Sequence, residues 1–461
     1  MSDLGSTANA ARTGAASLPR MRGVQVARLL LPTIARGRVM ARAFAAITAA
    51  LVVFAGLSTC AFLAGSGESV YAQTLPQADG VFSSAPSPRT PGTGKAASPD
   101  DVVRAQMEAM DASVLEGFLR DVDADVKEFF PELDLPSMLR SPQRAAGRLD
   151  LWGIAVGIAR LLAAEVRASF SLLGQLIVIA VMCSVLAEFA TGLGAEQATG
   201  IARAACFMVL AVIAVNSFLL ATRVATGAVD RMTSFVHSAT PLLFTLLAAA
   251  GGVTSAAVMS PAVVAAAGTT SAFVNDLVFP LIFLSAVLNV TSMITERVQL
   301  TRLATLLRDG AVAALGGFTT LFVGVMAVRG VGAAVTDTLS IRAAKFVSGT
   351  FIPVVGKMFS DAIAMVASCS VLIQSGLSVV GLLGVFMICI VPAAKIFVVA
   401  AMYRIASALV QPMGDEQLAR CLGDLGNTLV MVLVSLAVSA FAFVAAITVV
   451  AGLANLTAAM R

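Results

Sequence analysis

The chain has 461 residues, of which 58% are hydrophobic and 13% charged, with a formal net charge of +4. A soluble domain carries about 25% charged residues, so this composition excludes an ordinary soluble protein and predicts an all-α, polytopic membrane protein. No basic patch with base-reading side chains is present, which argues against nucleic-acid binding. Six scattered cysteines without a CxxC pair, and one histidine, support neither a disulfide framework nor a zinc site.

The N-terminus has the pattern of a secretory signal. Residues 1–42 hold seven arginines and one acidic residue, and an uncharged run follows from Ala43 to Gly67. The sequence Val70-Tyr71-Ala72 then offers small residues where signal peptidase needs them. We predict that residues 1–72 are a basic leader and signal peptide, so the chain continues outside the cytoplasm. The apolar run is long for a cleaved signal, and an uncleaved anchor is the alternative.

Two extracytoplasmic stretches are expected next. Residues 73–100 are rich in Pro, Ser and Gly and are interpreted as a disordered linker. Residues 101–150 are acidic, and helical spacing of their apolar residues predicts an amphipathic helix from Val102 through about Leu119. A second short helix is expected over Val122–Phe130. A segment with few large apolar residues cannot bury a large core. Residues 101–150 are therefore either a small helical cap or docking segment, or a solvated acidic spacer.

Residues 151–461 are predicted to be the polytopic membrane domain. Leu151–Arg167 is amphipathic, with Trp152 at its head, and suggests an interfacial helix. The 44-residue run Met232–Asn275 fits two spans with a turn near Gly251-Gly252 or Ser260-Pro261. In total we expect seven to nine spans of about 20 residues, in the uncharged runs Ala168–Ala187, Ala204–Thr222, Met232–Asn275, Leu277–Thr295, Gly310–Val328, Ala362–Ala394 and Leu425–Met460.

The basic loops constrain the orientation only partly. The 296–309 loop carries three arginines and is predicted to be cytoplasmic, which agrees with five spans before it. The 329–345 loop carries three basic residues and would then lie outside, so either one span is miscounted or this region re-enters the membrane. A weak internal repeat at an offset of 112 residues matches Pro241 with Pro353, Pro280 with Pro392, and Arg308 with Arg420. Repeated halves are common in transporters.

Lys345–Ala362 (KFVSGTFIPVVGKMFSDA) is predicted to be a broken or re-entrant segment. Gly349, Pro353 and Gly356 interrupt its apolar run. Broken backbone at bilayer depth is tolerated only where protein or a water-filled cavity satisfies it. Lys357 and Asp361 are four residues apart and share a helix face, so they form either a polar lining of a pore or gate, or an ion pair at the membrane surface.

Lys395 and the loop Gln411–Asp415 complete the candidate pore, gate or partner-contact residues. Lys395 interrupts an apolar stretch, so it is either a pathway residue within the membrane or, if the segment bends at Pro392, a lysine that snorkels to the interface. In the loop, Pro412 breaks the helix and Asp415 can cap the next one.

Other motifs support no chemistry. Gly349–Met358 has six residues between its glycines and lacks the Ser or Thr of a phosphate loop, so ATP binding is rejected. His237 lies alone on an apolar run and is interpreted as a buried structural histidine rather than a proton relay. No acid–base, nucleophilic or metal constellation appears, so we expect no catalytic residues, no cofactor and no metal, and we expect that the chain is not an enzyme.

Three stretches resemble the stage III sporulation protein AE family. They are KFVSGTFIPVVGKMFSDA, VPAAKIFVVAAMYRIASALVQPMGD and CLGDLGNTLVMV. The resemblance covers about Leu151–Arg461 and is most specific across Lys345–Thr428. The first 150 residues match only in type, because the arginine-rich leader is longer than expected for the family.

The resemblance implies a channel or secretion-like complex in the mother-cell membrane around the forespore, needed for forespore development after engulfment. The implied partners are other stage III sporulation A-type membrane proteins, a cytoplasmic secretion-type ATPase, a forespore membrane protein and the lipid bilayer, with a homo-oligomer also open. The chain would be a non-enzymatic channel subunit. The alternative is a self-contained secondary transporter of a small solute, motivated by the repeat and by Lys357, Asp361 and Lys395.

Overall fold

The structure is a computed structural model that describes residues 113–131, 151–192, 196–294, 300–351, 355–413 and 416–459. The predicted signal peptide and linker lie outside these residues. The described parts form helices: α1 Ser113–Val126, α2 Leu151–Gly192, α3 Glu196–Ala249, α4 Val253–Ala272, α5 Phe279–Ile294, α6 Thr301–Phe351, α7 Val355–Val410 and α8 Glu416–Ala459. A π-helical segment, Phe273–Val278, joins α4 to α5, and a 3-10 turn, Gln411–Met413, follows α7.

Six helical rods are long and apolar enough to cross a membrane: α2, α3, α4 with α5, α6, α7 and α8. The all-α, membrane-type architecture is therefore confirmed. The exact number of membrane spans stays a prediction. Some predicted spans that we had separated at charged residues belong to one helix in the structure. Helix α3 passes without interruption through Arg223, Asp230 and Arg231, which are exposed on its surface. Charged side chains do not break a helix; only Gly and Pro carry a large cost in its interior.

The expected 329–345 and 296–309 loops are helical over all or part of their length for the same reason. The 329–345 stretch is helical within α6, and Arg302 and Arg308 of the expected 296–309 loop also lie on that helix. Leu151–Arg167 is the first part of α2, continuous with the apolar run that follows, and Trp152 is 76% exposed; its interfacial position stays a prediction. The charged residues of 329–345 thus lie along a continuous helix and do not mark a chain reversal.

The turn between α3 and α4 was placed correctly at Gly251-Gly252. Gly251 has φ 93°, a left-handed conformation that glycine adopts without strain. Its N–H donates to the carbonyl of Ala248, and the N–H of Gly252 donates to that of Leu247. This is the Schellman pattern that closes a helix. The alternative turn at Ser260-Pro261 was wrong, because Pro261 lies inside α4.

Successive rods run antiparallel around α8. The α7–α8 hairpin is the most extensive helix pair, and α8 also contacts α3, α4, α5 and α6, whereas α2 lies at the periphery against α3 and α7. Connections α5–α6 and α7–α8 share one end of the bundle, named here the 411–415 end. Connections α3–α4 and α6–α7 share the opposite end, the 251–252 end.

Helix α1 packs against the bundle through one apolar face. Its buried residues recur at helical spacing, and its polar residues Arg120 and Asp121 are exposed. The Phe118 ring lies 5.5 Å from that of Phe235 on α3. The helix runs through the boundary that was expected between two short helices and ends at Val126. The buried apolar residues of α1 are Leu115, Leu119, Val122 and Val126, and Phe130, just after the helix, is buried as well.

The helix boundaries follow the 112-residue offset at one connection and depart from it at two others. The α5–α6 connection, between Ile294 and Thr301, corresponds to residues 406–413, where α7 ends at Val410. The end of α6 at Phe351 and the start of α7 at Val355 correspond to residues 239 and 243, which lie inside α3. The turn at Gly251 corresponds to residue 363, which lies inside α7. Pro353 lies outside the described residues, so the internal repeat stays a prediction.

Candidate functional site

Lys345–Ala362 is interrupted as predicted. Helix α6 ends at Phe351 and α7 begins at Val355, so the interruption joins two long antiparallel helices. Pro353 lies outside the described residues. Gly356, Lys357 and Asp361 lie in the first two turns of α7, and the expected pairing of the last two stays a prediction.

Lys395 is half-buried on α7 and makes no hydrogen bond or ion pair with any described residue. Tyr403 on the same helix reaches α3 at Ile213, and Gly384 lies against Phe235. With a rise of about 1.5 Å per residue, Lys395 is then level with residues 221–223 of α3. It therefore lies near mid-length of the bundle, about 12 Å from Tyr403.

Of the other predicted positions, Pro412 and His237 lie away from Lys395. Pro412 is exposed in the 3-10 turn at the 411–415 end, and Asp415 lies outside the described residues. His237 is exposed on α3 rather than buried, with Nε2 3.4 Å from the carbonyl oxygen of Val264. The expectation of a buried structural histidine was wrong, because α3 presents this edge to the outside.

The family motifs build one tight hairpin between α7 and α8. The guanidinium of Arg404 donates to Oδ1 of Asn427, and the hydroxyl of Ser407 donates to the carbonyl of Ala419 at 2.6 Å. Tyr403 is buried, and its hydroxyl donates to the carbonyl of Ile213 at 3.5 Å. These contacts tie α8 and α3 to α7 near the 411–415 end.

Two glycines of the CLGDLGN motif permit this close approach. A Cβ at Gly426 would lie 2.9 Å from Cγ of Arg404 and 3.2 Å from the carbonyl oxygen of Ala400. A Cβ at Gly423 would lie 3.2 Å from Oγ of Ser407. Small residues at helix interfaces let backbones pack closely in membrane proteins, so the motif carries packing rather than chemistry.

A buried carboxylate caps α4 from another rod. Asp337 on α6 is 2% exposed and accepts hydrogen bonds from the backbone N–H groups of Thr254 at 2.8 Å and Ser255 at 2.9 Å. Gly252, at the N-cap position, has no side chain for this task. A carboxylate at a helix N-terminus satisfies orphan donors and complements the helix dipole.

A third polar cluster joins α3 to the π-helical segment. Oδ1 of Asp230 accepts hydrogen bonds from Ser271 at 3.0 Å and from Asn275 at 2.8 Å. Oδ1 of Asn275 is buried without a hydrogen-bond partner in the structure. π-Helical turns are rare and occur frequently at functional sites, so this cluster is a candidate site that sequence reasoning missed.

Within the described ranges, no group of three or more His, Cys, Asp or Glu side chains is placed to hold a metal ion. A groove of about 310 Å³ lies between α3 and α5 near the 411–415 end; it is mainly apolar, with Asn216 and Thr291 as its polar groups. Such a lining provides no acid–base chemistry and fits packing against apolar groups.

Sequence reasoning missed these contacts for different reasons. The spacing of Gly423 and Gly426 on an apolar helix was a usable signal for close helix packing. Asp337 was assigned to a loop, and its partner lies 83 residues earlier, a separation that no local pattern reports. Asp230 was treated only as a charge that separates two spans.

Comparisons with known proteins agree with the family motifs. The sequence model of the stage III sporulation protein AE family matches residues 133–454. Stage III sporulation protein AE of Bacillus subtilis (strain 168) is 40% identical over 300 residues, which cover 64% of this chain and 74% of that relative. No solved structure matches the chain significantly. The chain belongs to the stage III sporulation protein AE family.

Proposed function

We propose that this protein is a non-enzymatic, multi-pass membrane subunit of a channel or secretion-like complex that links the mother cell to the forespore. In this role it is needed for forespore development after engulfment. Family membership supports the sporulation role. The length of the apolar bundle is the observation that best supports a subunit within a larger complex.

The bundle exposes apolar side chains over more length than a bilayer covers. Ile201, near the 411–415 end of α3, is 73% exposed, and Val253, at the opposite end, is 63% exposed. At about 1.5 Å per residue, the helix between these levels is about 72 Å long. A bilayer with its headgroup regions is about 40–45 Å thick, and a tilt of about 40° would still leave about 55 Å. Apolar surface beyond the bilayer is expected to be covered by other proteins.

The predicted signal supports one orientation, because a chain that enters α2 from outside places the 411–415 end in the cytoplasm. Arg302, Arg308, Arg404 and Arg420 lie toward that end, as the positive-inside rule requires, whereas Arg329, Arg342 and Lys345 lie on α6 toward the opposite end. A cytoplasmic secretion-type ATPase would then meet the 411–415 end. The other stage III sporulation A-type membrane proteins would cover the apolar flanks, and a forespore membrane protein would approach the 251–252 end. Residues 73–150 would be extracytoplasmic.

Deleting the gene in its host tests this function. Sporulation is expected to stop after engulfment, and a wild-type copy should restore spores. A tagged chain, extracted from sporulating cells with mild detergent, should also retain the secretion-type ATPase. Normal spore yield in the deletion strain would contradict the proposal.

A further inference from the structure

We propose that the exposed edge of α3 lines a water-filled space where copies of this chain meet. This inference rests on the proposed channel function and names its lining surface and one partner, a second copy. The edge is a single row of exposed positions three or four residues apart, the spacing of one helix edge. This row, the α3 edge, consists of Asn216, Leu220, Arg223, Gly227, Asp230, Ser234, His237, Pro241 and Thr245.

The α3 edge is polar where neighbouring surfaces are apolar. Val264 on α4 lies beside His237 and is 39% exposed, and Val258 further along α4 is 47% exposed. On α6, Phe318 stacks on Phe273 at 4.3 Å, and Leu321, one turn later, is 68% exposed. The α4 and α6 surfaces therefore suit lipid or apolar protein at levels where the α3 edge carries charge.

The backbone adds to this contrast. Pro241 lies within α3 and has no N–H, so the carbonyl of His237 loses its helical partner. The carboxylate of Asp230 additionally accepts a hydrogen bond from the side-chain amide of Asn275, whose own Oδ1 is buried without a hydrogen-bond partner. A charged side chain at the bilayer centre costs at least about 2.5–3.5 kcal/mol. A row of such groups is therefore expected to face water or polar protein rather than lipid.

Charge balance selects a second copy as the partner. The α3 edge exposes Arg223 and Asp230, Arg231 is exposed beside that row on α3, and Asp276 is exposed on the adjoining π-helical segment, so this face of the bundle holds two cations and two anions. Copies in one membrane share the same levels, so opposite charges must lie at nearly one level to meet across a rotational interface. Arg231 follows Asp230 directly on α3. Asp276 lies about level with residue 225, close to Arg223, because Ser271 contacts Asp230 and the two helices run antiparallel. A face with equal numbers of both charges therefore complements itself.

Cysteine labelling tests the proposal. The six native cysteines are first replaced by alanine, and single cysteines are introduced as Gly227→Cys, Ser234→Cys and Thr245→Cys on the α3 edge. Val258→Cys on α4 and Val325→Cys on α6 are exposed apolar controls. In membranes from sporulating cells, a charged maleimide should label the edge positions at least about tenfold faster than the controls, because only hydrated thiolate reacts. Mild oxidation should cross-link Ser234→Cys copies into dimers.

Equal labelling of edge and control positions, or unlabelled edge positions, would overturn the water-filled space. Labelled edge cysteines that do not cross-link would overturn the second copy. Each variant is used only if it restores spore formation, and three edge positions guard against one that disturbs folding. Normal sporulation with an unlabelled edge would sink this inference alone, whereas normal sporulation of the deletion strain would sink the proposed function.

Discussion

The carboxylate of Asp337 accepts a hydrogen bond from the backbone N–H of Thr254 at 2.8 Å, across 83 residues of sequence. The contact fixes the start of α4 against α6 beside the α3–α4 turn. It replaces the local N-cap that Gly252 cannot supply. The start of α4 is therefore capped by a side chain from a different hairpin of the bundle.

Replacing Asp337 with alanine should destabilise the protein. The change leaves two buried N–H groups without an acceptor, and loss of a cap costs about 0.5–2 kcal/mol while each buried unsatisfied group costs about 1–3 kcal/mol. Thermal unfolding of the detergent-solubilised protein should show a lower Tm, with a smaller loss for Asp337→Asn, which keeps one acceptor oxygen. Asp309→Asn, at an exposed carboxylate, is the control. An unchanged Tm for Asp337→Ala would show that the cap is dispensable.

Replacing Gly426 with leucine should force α7 and α8 apart. The new side chain would collide with Arg404 and approach the Ala400 carbonyl, and overpacking costs about 1–3 kcal/mol. The matched control is Gly452→Leu on the same helix, where a Cβ meets no atom within 4 Å. The free energy of unfolding should fall for the first variant only. Similar losses at both positions would point to a general effect of leucine on α8.

Arg404 and Asn427 should be energetically coupled. A double-mutant cycle with both alanine variants should give a coupling of about 0.6–1.7 kcal/mol, the range found for hydrogen bonds between membrane helices. The exposed Arg420–Glu416 pair, 3.3 Å apart on one helix, is the comparison and should give about 0.3–0.5 kcal/mol. Additive effects of Arg404→Ala and Asn427→Ala would mean that their contact contributes nothing.

Phe118→Ala should loosen α1 from the bundle. The ring contact with Phe235 contributes about 0.5–1.5 kcal/mol beyond its buried area. Hydrogen exchange should accelerate over residues 113–126 and stay unchanged in α8. Arg120→Ala, on the exposed side of the same helix, should leave both unchanged. Uniform acceleration throughout the chain would instead indicate global destabilisation.

Local patterns predicted the features that depend on neighbouring residues. The Gly251-Gly252 turn, the interruption of Lys345–Ala362 and the break after Val410 each follow from Gly or Pro in an apolar run. The reading of local patterns was wrong at Arg223 and Arg302, where we expected a charged residue to separate two helices. A charge on an exposed helix edge leaves the backbone hydrogen bonds intact, so α3 and α6 continue past it.

The sequence by itself determined the all-helical membrane architecture, because uncharged apolar runs of about 20 residues cross a membrane as helices, which satisfy their backbone groups internally. It also determined the family, through motifs that turn out to pack α7 against α8. Only the tertiary structure decided which helices continue, that Asp337 caps α4, and that the polar residues of α3 share one exposed edge. These depend on contacts between residues far apart in the chain, and side-chain spacing along a single helix does not contain them.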